Sequence, residues 1–247
     1  MSLQGRTAII TGAGSGIGRG TALRAAAEGM HVVALDVKQA DQTAEEITSA
    51  GGSASAVSMD VREPGEWRLV VEQTLARQGS IDLLANVAGV VNAGPDNAVD
   101  QTDDGWDRVV SINQTGVFYG MRAVLPAMIA AGGGAIVNVA SVAGLVGMQN
   151  VFTYSATKGA IIGMSRQAAI EYAKTGVRIN VICPGIIETP ILGDITDALR
   201  DYCEAATPNG RLGQPDDIAA TLIHLARPES SFITGQVIAI DGGWTAQ

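Results

Sequence analysis

Tyr154 and Lys158 stand four residues apart in an otherwise apolar, helix-prone run, and Ser141 lies thirteen residues before the tyrosine. On a helix, positions i and i+4 share a face, so the phenol and the amine can point together into one cleft. A phenol ionises near pH 10 in water. Bringing that to about 7 takes roughly 4 kcal/mol of differential stabilisation, within reach of two nearby cations in a partly dry site. A serine hydroxyl beside such a pair could donate to a substrate oxygen and so polarise a carbonyl or orient an alcohol. A strand-end serine that only closes a turn has the same appearance in sequence.

The second cation is suggested by the other end of the chain, where T-G-A-G-S-G-I-G begins at Thr11. The spacing is Gly12-x-x-x-Gly16-x-Gly18, with Ser15 and Ile17 between the glycines, and it fits G-x-G-x-x-G in no register. Glycines so placed between a strand and a helix let the backbone approach a pyrophosphate, whose charge meets amide N–H groups and the positive end of the helix dipole. No Lys-Ser/Thr follows, which excludes a nucleotide-triphosphate P-loop. The same glycines would also suit a tight turn without a ligand. Asp36 favours the dinucleotide: it ends the second strand, 24 positions after Gly12. There it can accept from both adenosine ribose hydroxyls and repel a 2′-phosphate, predicting NAD over NADP. The cationic ring of oxidised nicotinamide is then the second cation beside the phenol.

Weaker signals follow. Asp60-Val61 can meet the adenine edge, or Asp60 can simply cap a helix. Asn86-Val87-Ala88-Gly89 offers small residues where backbone would pass close to the cofactor, or an ordinary turn. Asn113 interrupts a helical pattern and can bind water, distort the helix or cap it.

Short β-branched runs alternate with amphipathic stretches, and this alternation must position those residues. Strands are expected at 6–11, 31–36, 54–59, 81–86, 135–140, 177–183 and 236–240, with helices at 16–29, 40–50, 64–78, 151–174 and 215–226, and one from Asp103 to Ala131 interrupted near Asn113. Seven strands joined by helices imply right-handed crossovers and a parallel, doubly wound Rossmann-like sheet, an α/β fold covered on both faces. Gly12, Asp36, Asp60, Asn86, Ser141 and Pro184 then fall at strand carboxyl ends, where such sheets bind ligands.

The 247 residues, 47% of them hydrophobic and 17% charged, suit one domain spanning 1–247 with a sizeable core. A net charge of −9 opposes nucleic acid as a partner. No leader or run of 18 apolar residues is seen, so no membrane partner and a cytoplasmic location are expected. Cys183 and Cys203 make no disulfide framework, and with His31 and His224 they give no metal-ligand cluster.

Together these motifs resemble the short-chain dehydrogenase/reductase family, in its branch of about 250 residues. The resemblance spans the chain, from the glycine turn through Asp60, Asn86-x-Ala88-Gly89, Asn113, Ser141, Tyr154-x-x-x-Lys158 and Pro184-Gly185-x-x-x-Thr189 to Asp241-Gly242-Gly243-Trp244. It implies Tyr154 as acid/base, Lys158 on the nicotinamide ribose, Ser141 on the substrate oxygen and Asn113 in a water-linked proton relay. It also implies Ile187 and Thr189 at the carboxamide, and a homotetramer with one interface on the helices near 113–131 and 151–174 and another around the C-terminal strand. Apolar residues such as Ile161, Ile162 and Met164 give that assembly its sequence support. Val87 departs from the second Asn common in Asn-Asn-Ala-Gly, and Ser15 stands where NADP-using relatives often carry Arg.

The expected reaction is interconversion of a secondary alcohol and its ketone. Residues 145–151 and 186–206 are the walls least fixed by cofactor chemistry, and the second reads either as a mobile lid or as a packed surface helix. Arg200 is the only basic residue in it. A neutral, moderately apolar substrate is therefore expected, cyclic alcohols included. The alternatives are a β-oxoacyl-thioester reductase acting on an acyl carrier, which Asp36 and the acidic balance oppose, and a non-catalytic dinucleotide sensor, which would not need the Tyr–Lys pair. Enoyl reductases and sugar epimerases carry other Tyr–Lys or glycine spacings.

Overall fold

The β-branched runs form seven parallel strands among the described residues, hydrogen-bonded in the order β3-β2-β1-β4-β5-β6-β7. The computed structural model describes residues 3–193 and 196–247. The strands are β1 (Thr7–Thr11), β2 (His31–Asp36), β3 (Ser53–Ser58), β4 (Leu83–Asn86), β5 (Gly134–Val139), β6 (Val177–Pro184) and β7 (Val237–Ile240). Between them run α1 (Gly16–Ala27), α2 (Ala40–Ser49), α3 (Pro64–Gln78), α4 (Asp103–Val110), α5 (Gly116–Ala130), α6 (Phe152–Tyr172), α7 (Asp197–Ala206) and α8 (Pro215–Ala226). Among the described residues no helix is long and apolar enough to cross a membrane.

Alternate side chains of a strand face opposite sides of the sheet, and each side has its own core. Ile9, Val33, Leu84 and Ile136 pack with α3, α5 and α6 through residues such as Trp67, Val124 and Ile161. Ala8, Ile10, Val32 and Val137 pack with α1, α2 and α8 through Ala22, Ile47 and Leu222. The chain winds outward from β1 to β3 and then returns to the other side of β1 for β4. This reversal opens the crevice at the carboxyl ends of β1 and β4 where ligands of such folds sit.

The interruption expected near Asn113 is a π-helical turn, Ser111–Thr115, joining α4 to α5. Two expectations change. The helix-like segment 186–206 divides into a short 3-10 turn at Pro190–Leu192 and α7, while Asp194 and Ile195 of the expected lid lie outside the described residues. Ile161 and Ile162 are buried inside the protomer core, so these two are not surplus surface available to a partner, while Met164 is half-buried against the core.

Candidate active site

The glycine turn leaves β1 through Gly12, whose φ of +67° favours glycine. A Cβ there would lie 3.0 Å from the Ala88 backbone, and a Cβ at Gly18 would collide with the Gly12 carbonyl, so α1 starts hard against β1. Thr11 aligns the facing loop, its hydroxyl accepting from Val87 N–H at 2.9 Å and Ala88 N–H at 3.0 Å. Between these turns lies a crevice of about 650 Å³ whose walls include Gly12, Ser15, Gly16, Ile17, Gly18, Asp36, Asp60, Val61, Ala88, Gly89 and Thr189. The Asp36 carboxylate is oriented at its edge by Gly14 N–H (2.9 Å) and Lys38 N–H (3.0 Å). This glycine cradle, α1 N-terminus and fixed carboxylate fit the pyrophosphate and adenosine ribose of a dinucleotide.

Adjoining it, Ser141, Tyr154, Lys158, Pro184, Gly185 and Ile187 line a smaller pocket of about 190 Å³. Its remaining walls are mostly aliphatic, with Val91, Val142, Met148, Val151, Ile186, Ile191 and Leu192. Ser141, two residues beyond β5, does two things: its Oγ accepts from Ala143 N–H at 3.1 Å, closing the turn, and its hydroxyl acts on the Tyr154 phenol in the same pocket, favouring the ionised form. The turn-closing reading of that serine holds, and its hydroxyl also stands in the pocket with the phenol.

Asn86 and Asn113 stand behind the crevice rather than in it. The Asn86 side chain turns into the sheet interior and donates to Asn138 Oδ1 at 2.8 Å, and Asn138 in turn donates to Ser165 Oγ at 2.8 Å. Strand alternation sends it there, because the chain bends toward the crevice only after residue 86. Asn113 clasps Val90, accepting its N–H at 2.8 Å and donating to its carbonyl at 2.9 Å, with a further bond to Thr157 Oγ1. Its amide thus fixes the loop that carries Gly89, whose hypothetical Cβ would lie 3.5 Å from Lys158 Nζ. Asp60 lines the crevice, but Arg62 forks onto its carboxylate through Nε (3.0 Å) and Nη2 (2.6 Å), which occupies the acceptors expected to face an adenine. Arg62, Lys38 and Arg108 line the same crevice and carried no recognisable local pattern.

The phenol is not activated by the lysine alone. Burial raises the Tyr154 pKa above its usual value, opposed by the Ser141 hydrogen bond and reinforced by Cys183. The Lys158 amine donates to the Val139 carbonyl at 2.9 Å and lies 5.3 Å from the centroid of the Tyr154 ring. Burial lowers its pKa to about 8. The protein groups around the phenol thus favour its neutral form. The Cys183 thiol, pushed up to about 11 mainly by burial, stays protonated and is a packing group.

The family described as Enoyl-(Acyl carrier protein) reductase matches the chain over residues 12–245. The chain is 40% identical to a cyclohexanol dehydrogenase of Acinetobacter sp. (strain SE19), across 98% of this chain and 96% of that protein. It superposes with a TM-score of 0.94 on a gluconate 5-dehydrogenase from Burkholderia cenocepacia J2315 in complex with NADP and tartrate, at 34% identity, covering 100% of this chain and 97% of that one. A 7α-hydroxysteroid dehydrogenase complexed with NADH and 7-oxo glycochenodeoxycholic acid gives 0.92 at 33% identity, with 98% and 95% covered.

Proposed function

From the premise that this chain belongs to the short-chain dehydrogenase/reductase family and is an oxidoreductase, we propose that it interconverts a neutral, ring-sized secondary alcohol and its ketone with NAD(H). The observation that carries this reading is the Ser141–Tyr154 hydroxyl pair facing an aliphatic pocket beside the dinucleotide crevice.

Bound nicotinamide would supply the site that accepts or releases hydride. Gly12, Gly16 and Gly18 would hold its pyrophosphate, Asp36 its adenosine ribose, Lys158 the second ribose, and Ile187 and Thr189 the carboxamide. Ser141 donates to the substrate oxygen and holds it against the Tyr154 phenol. In the oxidative direction Tyr154 Oη takes the hydroxyl proton as the carbinol carbon gives up hydride, and in the reductive direction it returns it. Asp36 supports NAD, since its charge would meet a 2′-phosphate directly.

The pocket supports an uncharged substrate. Lys158 is the only cation among its described lining residues, while Arg200 and Arg211 are paired with Glu188 and Asp217. A volume near 190 Å³ accommodates a six-membered ring, in keeping with the relative that acts on cyclohexanol. The test is NADH formation from cyclohexanol and related alcohols with NAD⁺ and with NADP⁺, beside reduction of an acetoacetyl thioester by NADPH. Expected are turnover of cyclic alcohols with NAD⁺ preferred, at least a thousandfold loss in Tyr154→Phe, and NADH binding retained in that variant. Preference for the thioester with NADPH would establish the acyl-carrier alternative, and tight NADH binding without turnover of any substrate would establish a sensor.

A further inference from the structure

The first turn of an α-helix has N–H groups with no partner inside the helix, and the residue preceding α6, Val151, offers no side-chain acceptor. A single residue from another part of the chain takes three of them. Asp96, buried in the loop between β4 and α4, accepts Phe152 N–H at its carbonyl (2.8 Å), Thr153 N–H at Oδ1 (2.8 Å) and Tyr154 N–H at Oδ2 (3.3 Å). Gln101 Nε2 donates to Asp96 Oδ1 at 2.9 Å and also to Thr153 Oγ1, while Asn92 Nδ2 donates to Gln101 Oε1 at 3.0 Å. A carboxylate at this place matches both the orphan amides and the positive end of the helix dipole.

The loop that delivers Asp96 also forms the crevice wall at Val87–Val90, where Thr11 and Asn113 hold it. One covalent segment therefore joins the wall of the dinucleotide crevice to the turn that bears the phenol. An ordinary serine or threonine cap would serve one N–H from within the same helix. Asp96 instead ties α6 to a loop 57 residues away.

We propose that Asp96 is a positioning residue: its carboxylate locks the first turn of α6, and with it the Tyr154 phenol, against the loop that walls the dinucleotide crevice. The inference rests on Tyr154 being the proton-transfer group.

The test uses the full chain as Asp96→Ala and Asp96→Asn, followed by amide hydrogen exchange, NADH titration and steady-state turnover of the best alcohol. In Asp96→Ala, residues 152–154 should lose protection at least about tenfold while β5 and β6 keep theirs. Its kcat should fall at least about tenfold with NADH affinity held within about threefold, because misplacing a reacting group costs rate more than binding. Asp96→Asn keeps one acceptor but turns an NH2 toward a backbone N–H, so it should fall between wild type and Asp96→Ala in both readouts. Unchanged exchange at 152–154, or kcat within about twofold of wild type in Asp96→Ala, overturns the proposal. If the alanine variant does not fold, Asp96→Asn decides it, and a kcat equal to wild type overturns it. A wild-type protein that turns over no alcohol defeats the functional reading, while the exchange data still judge whether Asp96 locks the turn.

Discussion

The Lys158 amine sits almost wholly buried between the Val139 carbonyl and the Tyr154 ring, and burial lowers its pKa to about 8 from the 10.5 of a free lysine. Between those two pH values the unfolded chain binds the proton that the folded chain has released, so stability rises with pH across that window. Below it both states are protonated, and the folded state carries the whole cost of the buried charge, about 3 kcal/mol. Lys158→Met removes that cost at every pH. Its stability relative to wild type should therefore decline by about 3 kcal/mol from pH 7 to pH 10.5. Guanidinium unfolding at the two pH values measures this, and a constant gap between the proteins would show that the amine is not held in a dry site. Tyr154, Lys158 and Ser141 were legible because their chemistry resides in residue type and short spacing. Asp96 and Asn138 were not, since each acquires its meaning from partners 27 to 58 residues distant that only folding brings near.

At the scale of elements, the turn at Pro190–Leu192 puts Ile191 and Leu192 in the pocket wall, and α7 follows it in the chain. Arg200 of α7 is paired with Glu188 on the loop after β6, and Gln214 Nε2 donates to the same Glu188 carboxylate at 2.8 Å. We propose that this segment closes over the substrate and that the Glu188–Arg200 pair biases it toward the closed form. Solvent screens an exposed pair, so Arg200→Ala should raise KM for the alcohol by no more than about fivefold and leave kcat nearly unchanged. Limited proteolysis should cut faster within 186–206 in that variant. Cleavage and KM equal to wild type would mean that α7 is a fixed surface helix. The strands and long helices were readable to within about two residues, because buried parallel strands and amphipathic helices have distinct periods. The segment after β6 was not, because a 3-10 turn and a ten-residue helix leave too few turns to fix a period.

For the whole molecule, the apolar side chains left outside both cores bear on assembly. Phe118 on α5, Phe152 and Ile170 on α6, and Phe232 ahead of β7 are exposed, Ile170 by 76% and Phe232 fully. They lie in the two regions where the family resemblance puts its interfaces. β7 is also a terminal strand of the sheet, only four residues long and half-buried, which leaves one row of its backbone groups open. Two separate self-complementary patches generate a tetramer of dihedral symmetry, and losing one patch leaves dimers. We propose that the 25.3 kDa chain assembles in this way. Sedimentation equilibrium should give a particle of about 100 kDa, and Ile170→Asp, which places a charge on the α6 patch away from Tyr154, should give about 50 kDa with the secondary structure intact. A wild-type particle near the chain mass would refute the assembly and leave those side chains as isolated surface residues, whereas a tetramer that survives Ile170→Asp would move the first interface off the exposed face of α6.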